Sequence, residues 1–199
     1  MARSVSVPND PSRAAVSPDE DALLIARARA GEAAAFGVLY DRYVEAVYRY
    51  VFYRVRETAE AEDVTSEVFM KALRAMPRYE TRQPFLAWLY RIARNAVIDR
   101  ARRKRTQVSF EDALAHPNAD RILDPDATLF RQVDAETLRG AIRQLTPLQQ
   151  EVIVLRYVEG LDTRAIARIV GKREGTVRGI EFRALGALRQ LVPSREALG

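Results

Sequence analysis

Residues 106–128 divide this chain more sharply than any other feature. Five acids (Glu111, Asp112, Asp120, Asp124, Asp126) stand there against one base, Arg121, and Pro117 and Pro125 break any long helix. On either side, apolar residues recur at three- and four-residue steps and strand-type alternation is missing, so both flanks read as helical. The expected fold class is all-α: two small helical domains, 18–105 and 129–192, joined by a flexible acidic linker, 106–128. Residues 1–17, rich in Pro, Ser and Asn, read as disordered, and 193–199 as a tail. At about 3.3 Å per residue, the linker reaches roughly 75 Å when extended, about two turns of B-DNA.

In the first half, Ser17, Pro18 and Glu20 supply an N-cap, a first-turn proline and a capping-box glutamate for a helix that Gly31 stops. A second helix, near 32–55, places Phe36, Leu39, Tyr40, Tyr43, Val47, Tyr50 and Val51 at helical steps, and its aromatics read as packing. A third, near 58–76, turns Val68, Phe69, Ala72, Leu73 and Met76 to a core and presents Asp63, Ser66, Glu67 and Met70 on its other side. It ends before Pro77.

After a polar loop comes the fourth helix, 84–105. Wound at 100° per residue, Phe85, Trp88, Leu89, Ile92 and Ala96 form its apolar stripe. Arg91, Asn95 and Arg102 share a narrow sector beside Trp88, because spacings of four and seven return to nearly the same angle. Cations, an amide and an indole on one rail suit phosphates and bases together, although Trp88 taken alone also reads as a core residue.

The charge supports a polyanionic partner. Net charge is only +5, but between Lys71 and Arg105 eleven basic residues face two acids, Glu80 and Asp99. With no cysteine, the chain has no disulfide or thiolate metal site, and the single histidine, His116, leaves little material for imidazole chemistry. Asp63, Glu67 and Asp99 lack a metal-site context, so no catalytic residue, metal or cofactor is expected. No apolar run approaches the roughly 20 residues that span a bilayer; a cytosolic chain without membrane insertion is expected.

The second half opens with a helix near 129–145. Thr146, Pro147 and Gln149 repeat the cap, proline and capping-box grammar for a helix that Gly160 stops. Asp162 caps a short helix, 163–170, closed by Gly171, and a last helix runs from about Glu174 to Val192. A short helix, a glycine turn and a longer helix is the order of helix-turn-helix. On the last helix, Val177, Ile180, Ala184, Ala187, Leu188 and Leu191 form the inner side, and Gly175, Arg178, Gly179, Phe182 and Arg183 the outer. Arginines can donate to guanine edges or phosphates, and Phe182 can touch a thymine methyl. A solvated basic face is the plainer alternative.

Two long motifs now resemble one family. Ala61-Glu-Asp-Val-Thr-Ser-Glu-Val-Phe-Met-Lys-Ala-Leu73, followed by Phe85-Leu-Ala-Trp-Leu-Tyr-Arg-Ile-Ala-Arg-Asn95, resembles region two of the extracytoplasmic-function (ECF) sigma factors of the sigma-70 family. Leu145-Thr-Pro-Leu-Gln-Gln-Glu-Val-Ile-Val-Leu-Arg-Tyr-Val-Glu-Gly-Leu161, with Glu174-Gly-Thr-Val-Arg178, resembles region four. The resemblance implies a four-helix region two and a helix-turn-helix region four. It also implies a promoter-specificity factor that binds core RNA polymerase and promoter DNA and performs no bond chemistry.

By position, the resemblance gives Asp63, Ser66, Glu67 and Met70 to the polymerase. It gives Tyr79, Arg82, Gln83, Phe85, Trp88, Arg91, Asn95, Arg102 and Arg103 to the minus-ten element and its single strand. Arg173, Glu174, Gly175, Thr176, Arg178, Gly179, Phe182 and Arg183 fall to the minus-thirty-five duplex. By analogy, an anti-sigma protein masks these faces, and the linker either threads the polymerase cleft or is a plain spacer. A stand-alone helix-turn-helix regulator is the alternative. Ser66, Arg173, Phe182 and Arg164-Ala165 depart from the usual glutamine, serine, histidine and acidic pair, so promoter sequence is not inherited from a relative.

Overall fold

The computed structural model describes residues 18–55, 57–80, 83–107 and 135–191, and across them the backbone forms helices and turns without a strand. The first half contains α1 (Pro18–Arg29), α2 (Ala33–Phe52), α3 (Thr58–Ala75) and α4 (Phe85–Gln107), with a 3-10 turn, Met76–Arg78, where Pro77 ends α3. The second contains α5 (Ala135–Gln144), α6 (Pro147–Ile153), α7 (Thr163–Val170) and α8 (Glu174–Leu191). Helix α4 runs two residues into the segment expected to be linker. The rest of that segment, the expected start at Leu129 and both terminal segments lie outside the described residues.

In the first half α2 lies between α1, α3 and α4. Its Leu39, Val47, Tyr50 and Val51 meet Ala61, Val64, Val68 and Ala72 of α3 and Leu89, Tyr90 and Ala93 of α4, all fully buried. One expected core residue is misplaced: Leu73 is 44% exposed. The buried arc of α3 centres on Val64, Val68 and Ala72, and at 100° per residue Leu73 falls about 140° from that centre.

Helix α4 corrects the sequence reading more instructively. Trp88 and Ile92, expected in its stripe, are half-buried, whereas Tyr90 and Ala93 are fully buried. Its covered arc is wider than one bundle requires and rotated toward the second half, because α7 packs on α4.

The local signals of the second half are realised as read. Gln149 accepts from the Thr146 backbone N–H at 3.0 Å and Asp162 Oδ1 from the Ala165 N–H at 2.6 Å. Gly171 adopts φ 68°, the left-handed conformation that closes α7 and aims α8. Between them α6 widens into a π turn, Val154–Val158, with the Glu159 N–H donating to the Val154 carbonyl at 3.0 Å. Val177, Ile180, Ala184 and Leu188 face inward on α8 as expected, joined by Leu185.

The halves pack on one another through charged groups. Glu151 meets Arg94 Nε at 3.0 Å and Glu159 meets Arg49 Nε at 2.9 Å, each carboxylate side chain being 2% exposed. Arg139 of α5 donates to the Phe52 and Val55 carbonyls at 3.0 and 3.3 Å, satisfying the C-terminal end of α2 from across the interface. Its guanidinium carbon also sits 3.7 Å from the Phe52 ring centre.

Candidate nucleic-acid and polymerase interfaces

Three faces carry the residues singled out by sequence. On α3, Asp63, Ser66 and Met70 are exposed and Glu67 is half-buried. Glu67 pairs with Lys71 one turn on at 2.6 Å, and Asp63 lies 3.7 Å from Arg100 Nη2 of α4. The face thus presents a half-exposed thioether ringed by carboxylates whose ion pairs are solvated and weak.

On α4, Arg91, Asn95, Arg102 and Arg103 are all exposed, and the first three share one line along the helix. Beside them Trp88 is rooted on a cluster of rings. Its ring centre lies 4.7 Å from Tyr79 and 5.4 Å from Phe85, and Tyr79 and Phe85 are 5.5 Å apart. Tyr43 extends the stack to α2, 5.5 Å from Phe85. Offset, tilted contacts of this kind hold ring orientations beyond what area burial alone provides.

Tyr79 and Phe85, assigned with the exposed residues from sequence, are each 3% exposed. Burial in the ring cluster takes them out of direct reach of a strand. Tyr79 instead fixes the loop, its hydroxyl donating to the Gln83 carbonyl at 2.8 Å. Gln83 is half-buried at the rim of a recess shared with Trp88, Arg78 and Arg91, and Arg82 lies outside the described residues. Arg168 of α7 lines the same recess from the other half of the chain.

On α8, Arg173, Glu174, Gly175, Thr176, Arg178, Gly179 and Arg183 are exposed and Phe182 is half-buried. The Arg173 carbonyl accepts from the Val177 N–H at 3.1 Å, so the helix opens there despite the unusual residue type. Arg178 pairs loosely with Glu174 at 3.7 Å and is 69% exposed, leaving it free to exchange partners. Tyr157 donates to Glu181 at 2.9 Å behind this face, and burial, with that bond, pushes its phenol up to about 12.

Comparison with known proteins places the chain in a family. The model of Sigma-70 region 2 matches residues 39–107, and that of Sigma-70, region 4 matches 135–188. The ECF RNA polymerase sigma factor SigL of Mycobacterium tuberculosis is 33% identical over 168 residues, a match covering 83% of this chain and 93% of SigL. The chain is an ECF sigma factor. BldN of Streptomyces coelicolor, also an ECF RNA polymerase sigma factor, is 41% identical over 173 residues, 85% of this chain; the match spans 65% of BldN's own length. Among solved structures, CnrH in complex with the cytosolic domain of CnrY superposes with a TM-score of 0.63 at 27% identity, covering 87% of this sigma factor and 97% of CnrH.

The residues that join the two halves, Glu151, Glu159, Arg139 and Arg54 among them, were not singled out from sequence. One signal was available. Glu151 opens the apolar run Val152–Leu155, and a helix apolar all round is buried all round, so an adjoining acid needs a partner. No described helix is long and apolar enough to cross a membrane.

Proposed function

We propose that this sigma factor docks core RNA polymerase on the outer face of α3, through Asp63, Ser66, Glu67 and Met70. It then directs the enzyme to promoters by holding the minus-ten strand on α4 and reading the minus-thirty-five duplex with α8. It contributes recognition and strand opening, works in the cytoplasm, performs no bond chemistry and is restrained by an anti-sigma protein. That CnrH was solved bound to another protein's cytosolic domain supports such a partner.

The observation that carries the reading is the α4 rail: Arg91, Asn95 and Arg102 exposed in a line beside an indole anchored on buried rings. Opening a duplex costs a few kcal/mol per unstacked base, which a strand-holding surface must offset with stacking and phosphate contacts. Tyr79 and Phe85 serve as the floor that holds Trp88 at the rim. On α8, Arg178 and Arg183 read base edges while Arg173 and Thr176 anchor phosphates. In vitro transcription with core polymerase and a promoter library tests the whole: start sites sharing two spaced elements are expected, and product no different from core enzyme alone would refute it.

Gly179 offers a narrower check. A Cβ placed there, or at Gly175 one turn earlier, would meet nothing within 4 Å inside the chain, so internal packing does not call for glycine. In a helix interior it costs about 0.5–1 kcal/mol relative to alanine. Gly179→Ala is therefore expected to raise thermal stability slightly while weakening binding to a minus-thirty-five duplex. Calorimetry and fluorescence anisotropy measure the two effects, and undiminished affinity would remove this side of α8 from the groove.

A further inference from the structure

The outward side of α7 carries charge that base reading by α8 leaves unused. Ile166, Ile169 and Val170 are buried, which turns Arg164 and Arg168 to solvent one helical turn apart, about 6 Å along the axis. The turn that follows folds back beside them. With Gly171 in the left-handed conformation, the Lys172 N–H donates to the Ala167 carbonyl at 3.0 Å, which returns the chain toward the last turn of α7. Arg164, Arg168, Lys172 and Arg173 consequently line one recess between α7 and the start of α8.

Among the described residues, Glu174 is the one carboxylate on that recess, and it leans toward Arg178 at 3.7 Å. None of the four cations forms an ion pair with a described residue, and all four are exposed, so packing does not account for them. Arg164-Ala165 departs from the family's usual acidic pair, so the sign of this surface belongs to the chain itself. Like charges around a concavity repel one another and focus a positive potential, which a string of anions relieves.

Position selects the anion. The recess opens at the first turn of α8, the helix assigned above to the major groove, and in a helix-turn-helix the preceding helix crosses the sugar-phosphate backbone beside that groove. With α8 seated, duplex phosphates pass over the outward side of α7.

We infer that Arg164, Arg168 and Lys172 form a phosphate grip, separate from the base-reading side of α8, that holds the duplex backbone flanking the minus-thirty-five element without regard to sequence. The inference rests on the assignment of α8 to that duplex. Each phosphate contact contributes about 0.9 to the slope of log affinity against log salt. Three contacts amount to a slope of about 2.7, or roughly 40-fold in affinity between about 50 and 200 mM salt.

The test carries Arg164→Gln, Arg168→Gln and Lys172→Gln together, in holoenzyme assembled from core polymerase and the full chain. Its probes are a duplex bearing the upstream element drawn from the promoter library and the single-base variants of that duplex. The salt slope should become shallower by about 2–3, while the ranking of the single-base variants is preserved. Ethylation interference should lose its signal at phosphates flanking the element. Arg164→Lys with Arg168→Lys keeps the charges and should keep the slope, and co-elution with core polymerase should be unchanged in both variants.

An unchanged slope, while the unsubstituted holoenzyme still prefers the element, overturns the grip and leaves the promoter reading standing. An altered ranking would make these residues base readers, and a loss of co-elution would give the surface to the polymerase; either result overturns the grip, as would a lysine variant as impaired as the glutamine one. No preference for any element by the unsubstituted holoenzyme would sink the promoter reading and the grip with it.

Discussion

Replacing Arg91 and Asn95 together by alanine is expected to lower promoter opening about 10²-fold while leaving the fold intact. Both side chains are exposed on α4 and neither is part of the buried core, so their removal opens no cavity. Stacking and bidentate contacts to nucleic acid are each worth about 1–3 kcal/mol, and every 1.4 kcal/mol is tenfold. The loss should fall on strand separation more than on initial duplex binding, because these groups lie beside the anchored indole and apart from the helix assigned to the duplex. Permanganate reactivity of unpaired thymines reports separation, and gel retardation reports binding. Equal losses in both assays would assign the rail to closed-complex affinity instead.

Tyr79→Ala should act from beneath the same surface. The ring is 3% exposed, packs against Phe85 and Trp88, and pins the loop through the Gln83 carbonyl. Removing a buried aromatic ring costs roughly 3–5 kcal/mol. For a chain of this size that is a melting temperature lower by roughly 6–20 °C. Trp88 would lose its floor, so opening activity should fall even at temperatures where the chain stays folded. Tyr79→Phe keeps the ring and forfeits one hydrogen bond, about 1 kcal/mol, and should retain most activity. Calorimetry together with transcription distinguishes the two variants. An alanine variant that melts normally would mean the ring cluster does not support the loop.

The ends of helices were the most legible part of the chain, because caps are local chemistry. Thr146 with Gln149, Asp162, Gly171 and Pro77 act within a turn of themselves, so short-range pattern sufficed. The exposed rail of α4 was equally readable, since residues four and seven apart share a line whatever surrounds the helix. Burial was harder wherever the covering surface came from far along the chain. Tyr90 is buried beside Glu159, 69 residues away, and Arg94 meets Glu151, 57 residues away. Nothing in the period of α4 announces those partners. Tyr79 and Phe85 carried a family position but not their depth, which depends on Tyr43 and Trp88 closing over them.

The widened turn at Val154–Val158 has a geometric consequence for the acids on either side of it. Eight residues separate Glu151 from Glu159, which on a regular helix would set them about 80° apart. One additional residue taken up by a π turn withdraws about 100° of rotation, bringing the pair to within about 20° of a common line. Drawing that turn tight into regular α-helix without removing a residue would swing Glu159 about 100° away from its present line, whereas deleting one residue with it would keep the two acids aligned. The π turn, as much as the presence of the carboxylates, sets whether the two halves can mesh.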